Sequence, residues 1–266
     1  MDQNFNLHTH TYRCQHAEGD IDDYCKFANK LGLQSLGFSD HTPLPDNRWP
    51  NVRMKLSELE DYCKKIDEAK EKYPNMRIYK GMECEYDQSY CSFYKEELLG
   101  KYELDYLIGS VHWFPYNSKW INAWRSEAKP KYLLAYSQYI IKIMEAEIFK
   151  FIAHPDVFAA FYLEEDKNSL ACAKDILSAA EALQIPLEIN GYGFMKKEVK
   201  TGNGFRKMYP WHPFWQLASE YKIKAIVNSD AHKPTDVYGC IDDALKLAET
   251  YNLDVIDDPN LLWRNS

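Results

Sequence analysis

Two hydrophobic periods alternate along this chain. Short apolar runs of strand length are separated by segments in which apolar residues return every third or fourth position. Ile21, Tyr24, Cys25, Ala28 and Leu31 keep helical spacing between Asp20, a natural N-cap, and Gly32, a natural stop. Residues 35–39 then read as a strand running into Asp40-His41-Thr42-Pro43. Ser57 and Glu60 have capping-box spacing ahead of Tyr62, Cys63, Ile66, Ala69 and Tyr73, with Pro74 closing that helix. Further strands are predicted at 77–82, ending in Glu83-Cys84-Glu85, at 105–111, ending in His112, and at 149–153, ending in His154-Pro155-Asp156. Leu170, Ala173, Ile176, Leu177, Ala180 and Leu183 mark a helix capped at Asn168 or Ser169, followed by a strand at 186–190. A helix through Trp215, Leu217, Ala218 and Tyr221 leads to a strand at 224–229, and Asp236 is the expected cap of a last helix carrying Ile241, Leu245 and Ala248.

With the apolar start at Phe5, this makes seven strands separated by helices, the pattern of parallel β-α-β units. A distorted (β/α)7 barrel and a doubly wound open sheet both satisfy it. The two ends of the chain favour the barrel. Leu7-His8-Thr9-His10-Thr11 and Asp230-Ala231-His232 each place two metal-competent groups at i, i+2 after a strand, on one face of an extended segment. A closed barrel makes its first and last strands neighbours. No repeat, low-complexity tract or linker divides residues 1–266, so a single domain is expected.

The formal net charge is −8, and such a field repels polyanions, so broad nucleic-acid binding is not expected. A small phosphorylated substrate remains compatible, because bound cations override the surrounding charge locally. The seven cysteines are odd in number and no two are separated by only two residues, which fits reduced thiols in the cytoplasm. Met1-Asp2-Gln3-Asn4 has neither a basic region nor a following apolar run, and no uncharged stretch reaches the length of a membrane span. The expectation is a cytoplasmic protein without a secretory leader or membrane anchor. Oligomeric state is not legible.

His8, His10, His16, His41, Glu83, His112, His154, Asp230 and His232 fall at the C-terminal ends of predicted strands or just beyond them, the rim where barrels assemble active sites. Seven of the eight histidines lie there. His212, between Trp211 and Pro213 at a helix start, is read as structural. Nine donors exceed what one tetrahedral ion needs, and the count fits three divalent cations with one carboxylate shared. Zinc, iron(II) and manganese(II) all suit mixed imidazole and carboxylate ligation. No serine or cysteine sits in a nucleophile motif, and Ser110, taken to face away from His112, is expected to pack.

The motifs Leu-His-Thr-His, Ser-Asp-His, Gly-Met-Glu-Cys-Glu, Gly-Ser-Val-His, Ala-His-Pro-Asp and Asn-Ser-Asp-Ala-His, in this order from Asn6 to about Leu247, resemble the polymerase-and-histidinol-phosphatase (PHP) family. The resemblance implies a TIM-like barrel with a trinuclear site. His8, His10, Glu83 and Asp230 would hold one cation, and Glu83 would bridge to a second on His112 and His154. His16, His41 and His232 would hold the third. It further implies a hydroxide bridging two cations, held by way of Glu83 and Asp230, that attacks phosphorus, with Asp156, His41 or a metal-bound water protonating the departing oxygen.

Within the family, Gly204-Phe205-Arg206-Lys207 followed by Tyr209-Pro210 is similar to the histidinol-phosphate phosphatases of histidine synthesis, which gives Arg206, with Lys207, as the phosphate contact. The chain departs from that pattern after Ala-His-Pro-Asp, where residues 157–161 offer no basic residue, and Arg125 is the substitute. The alternatives are a PHP-type phosphoesterase for another small phosphate ester or nucleotide, and a non-catalytic metal-binding scaffold.

Overall fold

The computed structural model describes residues 3–125, 127–202 and 204–263; Met1 and Asp2 of the N-terminal stretch discussed above lie outside them. The chain divides into two compact units, Met1–Ile108 with Asn228–Ile241 and Asp257–Ser266, and Gly109–Val227 with Asp242–Ile256.

In the first unit, β1 (Phe5–Asn6), β2 (Ser35–Phe38), β3 (Arg77–Glu85) and the start of β4 (Tyr106–Ser110) lie side by side in that order. Pairing is parallel, Phe5 facing Ser35 and Ser35 facing Arg77. Between them run α1 (Ile21–Leu31) and α2 (Leu59–Lys72). Asp20 caps α1 as expected, and its side chain and that of Asp23 close a capping box. Ile21, Tyr24, Cys25 and Ala28 are buried, whereas Leu31 on the last turn is exposed. The Tyr106 ring lies where a Cβ on Gly37 or Gly81 would stand, and its hydroxyl donates to the Leu7 carbonyl at 2.6 Å. Only glycine at both positions leaves room for the Tyr106 side chain there.

The two ends of the chain meet in this unit. Asn6 Nδ2 donates to Ser229 Oγ, Leu7 N to Asn228 Oδ1, and Thr9 bridges Ala231 in parallel. This is the neighbour relation that the paired motifs required.

In the second unit the order is β4, β5 (Phe151–Ile152), β6 (Leu187–Asn190), β7 (Lys224–Asn228) and β8 (Asp254–Val255). Helices α3 (Pro130–Glu145), α4 (Phe158–Phe161), α5 (Lys167–Leu183), α6 (Gly191–Met195), α7 (His212–Ala218) and α8 (Ile241–Thr250) intervene. β8 is an eighth strand of the main sheet beyond the seven expected; two residues paired with Lys224 and Ala225 carry no readable periodicity, and two short hairpins, Trp113–Tyr116 with Lys119–Asn122 and Val199–Thr201 with Gly204–Arg206, lie outside that sheet.

Three expected caps are corrected. A 3-10 turn, Leu56–Glu58, precedes α2, so Ser57 lies outside the cap position. Asp236 sits in its own 3-10 turn, ahead of α8. Asp166 caps α5, accepting from Asn168 N and Ser169 N while Ser169 Oγ accepts from Asp166 N. Asp166→Ala is therefore expected to cost about 1 kcal/mol, read as a fall of a few degrees in melting temperature. These bonds hold the Asp166 carboxyl down at about 2 although burial opposes its ionisation. Its contribution is complete above the ordinary aspartate range near pH 4 and is lost as pH falls toward 2.

Candidate metal centre

Apart from His16, which lies in a loop after a 3-10 turn, the donors of the first unit sit in or just after strands. His8 and His10 follow β1, His41 follows β2 and bridges Glu83 in β3, and Asp230 and His232 follow β7. As the i, i+2 spacing requires, His8 and His10 point the same way, and both are fully buried. His8 Nε2 lies 3.5 Å from Glu83 Oε2 and 3.5 Å from Asp230 Oδ1; His10 Nε2 lies 3.5 Å and 3.0 Å from the same two atoms. Each of the two imidazole nitrogens thus faces both carboxylate oxygens. Donors about 2.0–2.1 Å from a tetrahedral ion stand about 3.3 Å from one another, so the spacing fits a cation. Neither ring nitrogen of His10 meets a partner in hydrogen-bonding geometry despite these short distances.

A second set adjoins the first. His41 Nδ1 is 2.9 Å from Glu83 Oε2, and the His10 ring stacks on His232 at 4.4 Å. His16 lies 4.8 Å from the His232 ring and 5.4 Å from that of His41. His16 Nδ1 is 2.7 Å from the Cys14 carbonyl, and His232 Nδ1 is 2.9 Å from the Asp230 carbonyl. Because a carbonyl only accepts, each Nδ1 carries the proton and each Nε2 is left as the ligating atom. His16 is exposed while His8 and His10 are sealed beneath, so the set opens to solvent on the His16 side. Its loop is pinned by Arg13, a buried guanidinium that donates to Asp20 at 2.5 Å and to Asp61 at 2.7 Å.

The electrostatics keep the donors in their ligating forms. Burial would neutralise Asp230, but the His8, His10 and His232 rings hold its carboxyl well below the usual range. Burial, together with the neighbouring His10, holds the His232 imidazole well below its ordinary value. Asp40 was not singled out as a site residue from the sequence, although it adjoins His41. It is buried, accepts from Thr11 N and Thr11 Oγ1, and stands 4.0 Å from His10 Nδ1. Burial pushes its carboxyl up to about 6.

In the second unit His112, just beyond β4, and His154, just beyond β5, place their rings 4.9 Å apart. Ser110 lies on the same side as His112, not the opposite one, with Oγ 3.5 Å from His112 Nδ1; residues two apart share a face. Asp156 is buried and accepts from Trp211 N and Trp215 Nε1, both at Oδ2, so this carboxylate fastens the start of α7. Burial pushes it up to about 6, against those two bonds. His212 keeps its structural reading, Nδ1 lying 3.1 Å from the Tyr251 hydroxyl.

Two of the three basic residues expected at the phosphate, Arg206 and Lys207, donate to main-chain carbonyls. Arg206 Nη1 donates to the Lys207 and Met208 carbonyls, and Nη2 to those of Ala159, Tyr162 and Leu163. The half-buried guanidinium clamps the segment after His154. Lys207 Nζ donates to the Lys196 carbonyl, and Arg125 is exposed. Arg206→Met is expected to cost about 2 kcal/mol, a melting shift of about 4–8 °C; a phosphate contact would raise KM with the melting temperature unchanged.

Comparison with known proteins bears directly on this arrangement. A model of the PHP domain matches residues 6–192, more than half the chain. The chain belongs to the PHP family. The PHP chain is 28% identical over 255 residues to a Deinococcus radiodurans protein named probable histidinol-phosphatase, covering 90% of each. It is 25% identical over 256 residues to a Schizosaccharomyces pombe protein of the same name, covering 86% of this chain and 81% of that one. Its fold is similar to the crystal structure of histidinol phosphate phosphatase from Lactococcus lactis, solved with zinc, L-histidinol and phosphate: TM-score 0.74, 17% identity, 96% of this chain and 95% of that one. The PHP fold is an α/β, TIM-like barrel. All seven cysteines are free thiols, and among the described residues no helix is long and apolar enough to cross a membrane.

Proposed function

We propose that this PHP protein is a metal-dependent phosphomonoesterase that hydrolyses histidinol phosphate to histidinol and phosphate. The observation that carries the reading is that the buried His8 Nε2 and His10 Nε2 each face both Glu83 Oε2 and Asp230 Oδ1, at separations of 3.0–3.5 Å. The substrate is inferred from the two curated relatives, which match along nearly the whole chain.

His8, His10, Glu83 and Asp230 would hold one divalent cation. His16, His41 and His232 would hold another, and His112 with His154 would supply two donors of a third. Zinc, iron(II) and manganese(II) all satisfy this donor set. When bound, such cations supply a water ionised at neutral pH and neutralise charge on the phosphoryl oxygens.

The chain's own residues do the rest. The strand ends fix the imidazoles, so no side chain has to be ordered at the moment of reaction. Asp230 stays ionised through the whole neutral range, and Nδ1 of His16 and of His232 keeps its proton on a backbone carbonyl. Exposed His16 marks the side from which a phosphate ester reaches the buried pair. His41, in contact with Glu83, acts as a donor to the centre.

Elemental analysis of the purified protein, paired with phosphate release from histidinol phosphate and from a panel of other small esters and nucleotides, tests the reading. Two or more equivalents of a transition metal and the highest kcat/KM on histidinol phosphate are expected. A metal-free protein with full turnover would refute it, and a preference for another ester would move the substrate while keeping the centre.

A further inference from the structure

Two of the proposed ligands have left-handed backbones that side-chain-bearing residues rarely adopt: His154 with φ +31° and Asp230 with φ +52°. What holds His154 there is visible in the second unit. β5 and β6 pair in parallel, Ile152 facing Leu187, with Ile152 N donating to the Pro186 carbonyl. Were the ladder to continue, the N–H of His154 would go to the main-chain carbonyl of Glu188. Instead it goes to the Glu188 side chain, Oε2 at 3.1 Å. The carboxylate replaces the carbonyl and lets the backbone turn out of the strand at this residue.

Glu188 is itself fully buried and braced. Asn190, on the same face of β6, donates Nδ2 to Glu188 Oε2 at 2.8 Å, and Asn190 Oδ1 caps α6 by accepting from Gly193 N. A sealed carboxylate is costly, and a neutral main-chain acceptor was available in the ladder. We infer that Glu188 is a positioning residue: it locks His154 in the turn that brings its imidazole beside His112, and so completes the two-histidine part of the cation centre. This rests on the proposed reading of that centre.

The test compares E188A and E188Q with H154N, using the full chain loaded with Mn²⁺ or Zn²⁺. E188A should lose about one cation equivalent per chain, or bind it about 10–100-fold more weakly, the usual consequence of removing a group that orients a ligand. kcat/KM should fall by a similar factor. E188Q should recover most of both, because the amide oxygen still accepts the His154 N–H. If H154N keeps its full cation content, the reading of the centre fails. If H154N loses a cation and E188A does not, or if E188Q is as impaired as E188A, the role given to Glu188 fails. Should E188A not fold, the His154 amide signal in E188Q decides. It should move upfield of the wild-type signal as the acceptor loses its charge, and an unmoved signal overturns the assignment.

Discussion

D230N is expected to lower kcat/KM by more than the roughly 100-fold that changes behind a ligand cost, and to remove at least one cation. Asparagine keeps the shape of Asp230 but offers no anion where two imidazole nitrogens converge within 3.5 Å of one oxygen. The measurement is phosphate release together with elemental analysis of the same sample. The pairing matters because a scaffold that merely binds metal would lose the cation and leave function untouched. Unchanged turnover with unchanged metal content would dismiss the centre altogether.

Removing the cations is expected to destabilise the fold as strongly as it silences the enzyme. A cation held at 1,000 times its dissociation constant adds about 4 kcal/mol to the native state. For a chain of this size each kcal/mol moves the melting temperature by about 2–4 °C, so each such cation lost to a chelator should lower it by about 8–16 °C. Adding back zinc or manganese should restore both melting and turnover. Calorimetry with and without chelator reads the effect, and coincident curves would sink it.

A strand followed at once by His, Asp or Glu is a local pattern, which is why His8, His10 and Asp230, close to Glu83 in the first unit, could be picked out from the sequence. The pairs His8/His10 and Asp230/His232 carried the topology as well, since each declared a face. The clamp made by Arg206 was not legible. Its guanidinium is claimed by the carbonyls of Ala159, Tyr162 and Leu163, more than forty residues earlier in the chain, and nothing local announces that. Glu188 was hidden for the opposite reason: inside a short apolar strand it reads as an ordinary polar interruption. The α5 cap was misplaced by two or three positions because Asn168 and Ser169 are themselves good cap formers, and the true cap, Asp166, employs both.

The clasp between Asn6 and Ser229 joins residues 223 positions apart. During synthesis, His8 and His10 leave the ribosome long before Asp230 and His232 exist to answer them. The first histidines must therefore wait through most of translation, and the nascent polypeptide cannot bring these four residues together until β7, the seventh of its eight parallel strands, has emerged.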